Sequence, residues 1–405
     1  MTTPKPQFAC DALVHDPYGA HEPPIYQTST FTFERTADAA ALFAGERPGF
    51  VYTRIGNPTV AMWERRVAEL ETRGTGIEAA ALAFATGMGA ISAAILAAVS
   101  TGDHVVGMAP LYGGTSEFFA DILPRFGVRA TVVAPGDMVS LEQAAQQPRT
   151  RVVYIETPGN PTMDIVDIAR SAQIAHAVGA RLYVDNTFAT PIRQQPLAHG
   201  AAVVLHSATQ YLGGHGTVVS GVVVARDLEF LAGPVNEMRK LLGASAAPFD
   251  AWLLYQGVKT LELRLERMTR TAEGMARMLA THEMVEWVRW PGLESDPGHL
   301  IASRQMKDFG AMIAFGIRGG IEAGAAFMDA LSVAKRAVSL GCTDTLIEHP
   351  ASMTHGHMTP EAREQAGIGE DLIRISIGLE DAEEIERDIA TALAAAARVV
   401  AVPAD

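Results

Sequence analysis

Cysteine is scarce in this chain, and its scarcity excludes several classes of protein. Only Cys10 and Cys342 occur among 405 residues. Two thiols cannot form a disulfide scaffold or a cysteine-rich metal site. His355 and His357 could ligate a metal, but no nearby acid or cysteine completes a coordination shell. We therefore expect no bound metal, and we expect Cys342 to be an ordinary core or loop thiol.

Basic side chains are also in the minority. The chain has 32 lysine and arginine residues against 46 aspartate and glutamate residues, a formal net charge of −14 and a pI near 5.3. An acidic balance repels phosphate backbones and anionic lipids, so nucleic acid and membrane surfaces are poor partners. A single pocket can still bind a small anion, because net charge says little about one local site.

One uncharged run, residues 79–99, is long enough to span a bilayer. Alanine and glycine make up much of it, and Thr86, Gly87 and Ser92 interrupt it. A buried strand that turns at Gly87 into a buried helix explains it better than a membrane span. The first sixteen residues lack the apolar core of a secretory signal, so we expect a cytoplasmic location.

Short apolar runs alternate with helical stretches along much of the chain, which is 48% hydrophobic. Seven runs have the composition of strands: AALAFAT, DHVVGMA, VRATVVA, RVVYIET, ARLYVDN, AAVVLHSAT and GVVVAR. Nearly continuous apolar strands linked by helices indicate a mostly parallel sheet with both faces covered. We therefore predict an α/β fold built on a mostly parallel seven-stranded sheet.

Changes in pattern predict three parts. Residues 1–56 are irregular and are interpreted as an N-terminal arm. Residues 57–250 form the large domain, which opens with a helix capped by Asn57 and started by Pro58. Residues 251–405 form a smaller α+β domain, with strands in VEWVRWP, AMIAFGIRG and LIRISIGLE and a last helix that begins near Asp381.

Small, hydroxyl-bearing and acidic residues collect where the predicted strands end, and ligands of open α/β sheets bind beyond the carboxyl ends of the strands. The helix start at Gly87 could hold a phosphate or could be a structural turn. Ser207 and Thr209 could face one ligand. Asp185 ends a buried strand, so it needs a partner or serves as a helix cap. No Gly-x-Ser-x-Gly nucleophile turn occurs, and the glycines after Thr86 do not complete a dinucleotide fingerprint.

Several strings, in order along nearly the whole chain, resemble the Cys/Met-metabolism (trans-sulfuration) family of pyridoxal-phosphate enzymes. They are PPIYQTSTF, YTRIGNPT, LYGGT, IETPGNPT, VDNTFATP, HSATQYLGGHG, HPASMTH and IRISIGLED. The resemblance implies the PLP-dependent transferase-like fold (fold type I, that of aspartate aminotransferase) and pyridoxal 5'-phosphate as cofactor. Within the family the chain is most similar to methionine γ-lyases, judged by FTFERT, FAGE, RAVSLG and HPASMTHGHMTPEAR.

The resemblance also implies how the cofactor phosphate is bound. By position, the phosphate would be held by Gly87, Met88, Ser207 and Thr209. Tyr52 and Arg54 would reach it from a neighbouring subunit. This arrangement implies a homotetramer whose active sites are shared between subunits.

The remaining roles concern the ring and a small-molecule amino-acid substrate. Asp185 would pair with the pyridine N–H and keep the ring protonated as an electron sink. Tyr112 would stack over the ring and assist the leaving group. Asn160 would contact the ring hydroxyl, and Glu156 would support the site. The substrate α-carboxylate would be bound by Arg374 with Ser339.

The chain departs from the family at the residue that forms the Schiff base. The family has a lysine in an SATK string, and this chain has Gln210. A carboxamide can neither form an imine with the cofactor aldehyde nor shuttle protons, and loss of a positioned base alone costs about 10²–10⁴-fold in rate. Two explanations stay open, an introduced lysine-to-glutamine change and a natural loss, and the otherwise complete site favours the first. We expect noncovalent cofactor binding and little or no turnover.

A second departure concerns the substrate. Methionine γ-lyases usually have a cysteine where this chain has Gly114, whereas Val338 before Ser339 is lyase-like. The leading hypothesis is elimination at Cγ of a methionine- or homoserine-derived amino acid, giving 2-oxobutanoate, ammonia and a thiol or another leaving group. One alternative is γ-replacement on an acylated homoserine, as by a sulfhydrylase or a cystathionine γ-synthase. The other is a protein that binds the cofactor or an amino acid without turnover.

Overall fold

The computed structural model describes residues 18–354, 356, 363 and 367–401. One sheet contains β1 (Ala80–Phe84), β2 (His104–Met108), β3 (Arg129–Val133), β4 (Thr150–Glu156), β5 (Arg181–Asp185), β6 (Val203–Ser207) and β7 (Gly221–Ala225). A second sheet contains β8 (Val285–Arg289), β9 (Met312–Ile317), β10 (Lys335–Arg336), β11 (Leu346–Glu348) and β12 (Leu372–Ser376).

Helices precede, link and follow these strands. The α-helices are α1 (Thr36–Phe43), α2 (Pro58–Thr72), α3 (Gly87–Leu96), α4 (Gly113–Glu117), α5 (Met138–Ala145), α6 (Ile168–Ala177), α7 (Thr190–Arg193), α8 (Leu228–Phe230), α9 (Asn236–Leu242), α10 (Pro248–Val258), α11 (Leu261–Thr281), α12 (His299–Gln305), α13 (Gly320–Ala330) and α14 (Ala382–Val400). Short 3₁₀ and π-helical segments are Phe118–Ile122, Leu123–Phe126, Pro196–His199 and Leu231–Val235.

The large sheet is mostly parallel, as the sequence predicts. Its strand order is β1-β7-β6-β5-β4-β2-β3. Strands β2 to β6 pair in parallel, and β7 runs antiparallel to both of its neighbours. Because parallel strands end at the same edge, the carboxyl ends of β4, β5 and β6 lie next to one another. The α/β fold with a mostly parallel seven-stranded sheet is therefore confirmed.

Both faces of this sheet are buried by apolar side chains. Consecutive residues of a strand point to opposite faces, so Val152 joins a cluster with α3 and Val153 joins a cluster with α2. Helix α2 begins as the sequence predicts: the Asn57 carboxamide accepts the N–H of Thr59 at 2.9 Å. Its buried Trp63 anchors the helix in the core. These helices fix the strand ends that carry the candidate site.

The second sheet has the order β10-β11-β12-β9-β8 and belongs to the C-terminal part of the chain. The three strands predicted there are confirmed as β8, β9 and β12. The sequence analysis missed β10 and β11, because two- and three-residue strands are too short to show alternation. Helix α14 packs against α13 and is capped by Asp381, whose carboxylate accepts the N–H of Glu383 at 2.9 Å. The bounds of the three predicted parts stay a prediction.

The N-terminal arm contains a helix, and the long apolar segment does not span a membrane as one helix. Within the arm that was expected to be irregular, residues 36–43 form α1, a helix of eight residues of which none is buried. The apolar segment 79–99 is a strand and a helix, as predicted, turning at Thr86 and Gly87. Within the part of the chain that the structure describes, every helix is too short or too polar to cross a membrane.

Candidate active site

Four of the predicted site residues meet at the carboxyl edge of the large sheet. Glu156, the last residue of β4, lies directly beside Asp185, the last residue of β5. Ser207 ends β6, the next strand. A Cβ atom built on Gly87 would lie 3.0 Å from the Cβ atom of Ser207. The acids and the helix start therefore share one site.

The start of α3 leaves backbone donors free for an anion. The Thr86 hydroxyl caps the helix and accepts the N–H of Gly89 at 2.8 Å. The N–H groups of Gly87 and Met88 lie in the first turn, where no intrahelical acceptor is available. The helix dipole makes the same point electropositive. We call residues 86–88 together with Ser207 the phosphate cradle, since their chemistry suits that group.

Thr209 lies two residues beyond this cradle and holds the turn into β7. Its hydroxyl accepts the N–H of Ser220 at 3.0 Å and lies 3.2 Å from the Ser220 carbonyl. The Ser220 hydroxyl in turn donates to the Phe84 carbonyl at 2.8 Å, at the end of β1. Thr209 is therefore a structural link between β6, β7 and β1, whatever further contact it makes with a ligand.

Asp185 is a buried carboxylate held by hydrogen bonds from neutral groups. Its Oδ1 accepts the N–H of Thr187 at 3.0 Å and the Thr187 hydroxyl at 2.5 Å, and its Oδ2 lies 3.3 Å from the Tyr154 hydroxyl. Burial raises the pKa of the Asp185 carboxyl above its usual value. Among the described residues no lysine or arginine forms an ion pair with it. A ligand N–H that carries positive charge would supply the missing partner.

Glu156 organises the loop that follows β4. Its carboxylate accepts the backbone N–H of Tyr112 at 2.8 Å and that of Asn160 at 3.1 Å. Burial, and then the nearby charge of Asp185, raise the pKa of Glu156 well above its usual value. Two buried acids side by side resist joint ionisation, so a cation bound at this edge would stabilise both.

The Tyr112 side chain is half exposed at the rim of the site. Gly114 lies so close to it that a Cβ atom there would come within 2.9 Å of the Tyr112 ring and 3.1 Å of the Met88 sulfur. The ring of Tyr112, the thioether of Met88 and the bare backbone of Gly114 therefore form one crowded wall. The room near this wall depends on the absence of a side chain at Gly114.

Arg374 lies in β12 and brings the second sheet to the site. One terminal nitrogen donates to the Asn160 carboxamide oxygen at 2.7 Å and lies 3.0 Å from the carboxylate of Glu348. The other donates to the carbonyls of Val338 and Ser339 at 3.2 Å. The side chain is buried, and its Nε has no partner in the described structure. Burial lowers the pKa of the guanidinium.

Gln210 occupies the turn after β6 and faces the same segment. Its carbonyl oxygen accepts the Ser339 hydroxyl at 3.2 Å and the N–H of Leu340 at 3.3 Å. The remaining polar group of the side chain is an amide nitrogen, which is not a nucleophile. Residue 210 therefore presents a neutral donor and acceptor to this segment and no amine.

Tyr52 and Arg54 are both exposed in the single chain. The Arg54 guanidinium donates to the Lys240 carbonyl at 2.9 Å and lies 5.6 Å from the centre of the Tyr52 ring. Arg54 lines a cleft of about 1550 Å³ between the segment 45–57, helix α2 and residues 226–246. This cleft is separate from the acids at the strand ends, none of which line it.

The thiols and imidazoles of the described residues offer no metal site. No group of three or more histidine, cysteine or acidic side chains suitable for a metal occurs in residues 18–354, 356, 363 and 367–401. Cys342 is a buried free thiol, in agreement with the expectation. Cys10, His355 and His357 lie outside the described residues.

Three residues of the site were missed by sequence reasoning. Tyr154 precedes Glu156 by two positions in β4 and so shares its face, a signal that strand alternation offers. Thr187 follows Asp185 closely and could have been recognised as its local donor. Glu348 pairs with Arg374 across β11 and β12, and no pattern in the sequence reveals that pairing.

The residues present fit pyridoxal phosphate at two points. The phosphate cradle offers free N–H groups, and Asp185 is a buried carboxylate that has no lysine or arginine partner in the described part of the chain. The phosphate and the protonated pyridine nitrogen of the cofactor carry the complementary charges. Gln210 is the point of disagreement, because it cannot replace a lysine in covalent attachment.

Comparison with known proteins assigns the chain to a family. A family model described as Cys/Met metabolism PLP-dependent enzyme matches residues 11–394. The chain belongs to this family, which uses pyridoxal 5'-phosphate. It is 46% identical to the L-methionine gamma-lyase of Pseudomonas putida (97% of this chain, 98% of the relative) and 43% identical to the O-succinylhomoserine sulfhydrylase of Pseudomonas aeruginosa (94% and 92%). The crystal structure of cystathionine gamma synthase from Xanthomonas oryzae pv. oryzae, in complex with aminoacrylate and cysteine, superimposes with a TM-score of 0.88 at 39% identity, covering 98% of this chain and 100% of that one.

Proposed function

We propose that this site serves pyridoxal-phosphate-dependent elimination at Cγ of methionine- or homoserine-derived amino acids, and that Gln210 holds the chain in an impaired form. The products would be 2-oxobutanoate, ammonia and a thiol or another leaving group. The observation that carries the proposal is the convergence of Asp185, Tyr112 and Arg374 on one edge of the sheet in a chain similar to L-methionine gamma-lyases.

When bound, the cofactor would supply an electron sink for charge withdrawn from Cα. Asp185 would hold a proton on the ring nitrogen, since an ionised carboxylate favours a positive partner within hydrogen-bonding reach. The Asn160 carboxamide oxygen accepts a hydrogen bond from Arg374. The amide N–H groups of Asn160 would therefore be left to donate to the ring hydroxyl. Tyr112 would lie over the ring face and act on the leaving group from the rim.

Arg374 is proposed to bind the substrate α-carboxylate. Its Nε–H is buried and has no partner among the described residues, so it offers a donor that a carboxylate oxygen would satisfy. Ser339 lies close by, because its carbonyl accepts a hydrogen bond from Arg374. Its hydroxyl, which donates to Gln210, can turn towards a bound carboxylate. Val338 is exposed beside it and would contact the side chain of the substrate.

Gln210 would permit binding and obstruct turnover. An amide nitrogen neither forms an imine nor accepts a proton at neutral pH. A lysine here would also lose the two hydrogen bonds that the Gln210 carbonyl accepts, and would free Ser339 for the substrate. The phosphate cradle and Asp185 do not depend on residue 210, so the cofactor would still bind.

A Gln210→Lys exchange tests this proposal. We expect the variant to release 2-oxobutanoate from L-methionine or O-acetyl-L-homoserine at least about 10²-fold faster than the unchanged chain, because a general base is restored. Gln210→Arg is the matched control, since it adds a cation of similar length that cannot form an imine. The proposal fails if the lysine variant binds the cofactor and yields no keto acid from any γ-substituted amino acid.

A second candidate is γ-replacement, favoured by the similarity to an O-succinylhomoserine sulfhydrylase and by Gly114. Sulfide or cysteine added to the Gln210→Lys variant with O-succinyl-L-homoserine separates the two reactions. Homocysteine or cystathionine in excess of oxobutanoate identifies replacement. Absence of both, with the cofactor bound, identifies a non-catalytic binding protein.

We further propose a cytoplasmic homotetramer in which Tyr52 and Arg54 complete the site of a neighbouring subunit. Tyr52 is 42% exposed in the single chain, which leaves its phenol available to a partner. Arg54 borders the cleft beside α2. Sedimentation of the cofactor-loaded chain tests the assembly, and a monomer that binds the cofactor with full affinity would contradict it.

A further inference from the structure

Glu348 and Arg374 form an ion pair at the candidate carboxylate site. Their charged groups are 3.0 Å apart, and the side chains are only 3% and 4% exposed. The pair is built by the register of β11 and β12, in which the two residues lie directly opposite each other. Each partner also has an unused polar atom in the described structure, Oε2 of Glu348 and Nε of Arg374, both buried.

This pairing makes the site electrically neutral before a substrate arrives. A carboxylate that approaches the unused Nε–H of Arg374 enters a site that already contains one carboxylate. Two acids and one guanidinium leave a net charge of −1 in a buried environment, where like charges repel strongly. Protonation of one acid removes that repulsion and makes an O–H donor available between the two carboxyl groups.

We propose that Glu348 is a positioning residue that takes up one proton when a substrate carboxylate binds to Arg374. The proton comes from solvent and attaches to Oε2, the oxygen that has no hydrogen-bond partner. The resulting O–H donates to the bound carboxylate, while Oε1 stays on Arg374. No covalent bond of the substrate changes in this step. The inference rests on the proposed role of Arg374 as the carboxylate site.

Of the groups near the ion pair, Glu348 is the one that would take up the proton. Burial raises the pKa of Glu348, and the charge of Arg374 opposes that rise. Arg374 is faced by the phenols of Tyr112 and Tyr211. Burial raises the pKa of Tyr211, so that phenol stays neutral through the physiological range. A second carboxylate nearby raises the pKa of Glu348 further, which gives the direction of the proton uptake.

The test uses 4-(methylthio)butanoate, the methionine skeleton without its amino group, bound to the cofactor-loaded chain. Without an amine, the probe cannot react with the cofactor aldehyde, so its binding reports on the carboxylate site alone. Calorimetry in buffers of different ionisation enthalpy measures the protons taken up. We expect up to one proton per probe, and an affinity that falls about tenfold per pH unit above the pKa of Glu348.

Glu348→Gln removes the titrating group and keeps its shape. We expect the variant to bind the probe at least about tenfold more tightly at pH 8 and to lose both the proton uptake and the pH slope. Glu262→Gln, at an exposed ion pair with Arg73, is the control and should behave as the unchanged chain does. If Glu348→Gln does not fold, the unchanged chain still decides the matter, because binding without proton uptake overturns the inference.

The outcomes separate this inference from the proposed function. Binding of the probe to the unchanged chain, together with loss of that binding in the charge-neutral double variant Glu348→Gln/Arg374→Gln, supports the carboxylate site. If proton uptake then persists in Glu348→Gln, only the role of Glu348 is overturned. If the probe does not bind, or binds equally to the double variant, the carboxylate site and the inference both fail.

Discussion

The carbonyl oxygen of Gln210 accepts a hydrogen bond from the Ser339 hydroxyl at 3.2 Å. Gln210 follows β6 of the large sheet, and Ser339 lies between β10 and β11 of the second sheet. This contact therefore joins the two halves of the candidate site across the position where a lysine is expected. On the proposed function, the residue that would obstruct the chemistry also holds in place a hydroxyl that would face the substrate.

We predict that Asp185→Asn weakens cofactor binding while leaving the empty protein at least as stable. The carboxamide keeps an acceptor for Thr187 but loses the charge that favours a protonated ring nitrogen, so affinity should fall about 10–100-fold. Removing one of two adjacent buried acids also removes the repulsion between the charges of Asp185 and Glu156. Absorbance titration with pyridoxal phosphate and thermal unfolding without it measure the two effects. Unchanged affinity would show that Asp185 does not hold the ring.

Gly114→Ala should disturb the Tyr112 ring. The new methyl group would lie 2.9 Å from that ring and 3.1 Å from the Met88 sulfur. Both side chains can shift, so we expect less than about 1 kcal/mol of lost stability. In the Gln210→Lys background we expect an altered ratio of keto acid to replacement product. Gly113→Ala is the control, because its Cβ atom would meet nothing within 4 Å.

Glu71 is expected to be a major contributor to stability behind the site. It is fully buried and contacts the imidazole of His206 at 2.5 Å and the carboxamide of Asn186 at 3.2 Å. Glu71→Ala removes the buried partner of His206 and one of the two acceptors of the Asn186 amide, so we expect a loss of about 3–5 kcal/mol in the free energy of unfolding. Denaturant titration measures this loss.

The control for that prediction is an exposed pair. Glu262 bonds to Arg73 with more than half of each side chain in solvent. Glu262→Ala should therefore change the free energy of unfolding by no more than about 1 kcal/mol. Equal losses in the two variants would contradict the assignment of stability to the buried Glu71 contacts.

We predict that the free energy of unfolding falls in acid because of His104. The imidazole is buried between the hydroxyls of Thr150 at 2.8 Å and Thr131 at 2.9 Å. Burial, aided by the charge of Arg129, lowers the pKa of His104 to about 4. In the unfolded chain the same imidazole binds a proton near pH 6.5. The lowered pKa therefore changes the free energy of unfolding by up to about 3 kcal/mol, and this stability is fully present above pH 6.5. It is lost as the pH falls from 6.5 towards 4.

His104→Gln checks the origin of that pH dependence. Its free energy of unfolding should fall less steeply than that of the unchanged chain between pH 6.5 and 4, because the titrating ring is absent. Denaturant titrations at several pH values give the two slopes. Parallel curves would assign the acid sensitivity to other groups.

The edge of the sheet could be predicted from sequence because strand endings are local signals. Apolar runs such as RLYV stop at Asp185, and GMGAISAA begins a helix at Gly87. Parallel strands must end together, so their ends converge without any knowledge of distant contacts. The same logic placed Glu156 and Ser207.

The features that escaped prediction depend on pairings across the fold. Glu348 meets Arg374 only because β11, three residues long, lies beside β12. The contact between Gln210 and Ser339 joins residues that are 129 positions apart. Helix α1 is only eight residues long and buries none of them. Short elements and long-range contacts leave no pattern in a single sequence.

The central claim is that the aldehyde of pyridoxal phosphate lies within reach of residue 210. Borohydride reduction of the cofactor-loaded Gln210→Lys variant, followed by peptide mass mapping, tests it most directly. We predict a phosphopyridoxyl adduct on the peptide that contains residue 210, and no adduct there in the unchanged chain. The account would be contradicted if the variant carried no adduct, or carried one only on another lysine: Lys5, Lys240, Lys259, Lys307 or Lys335.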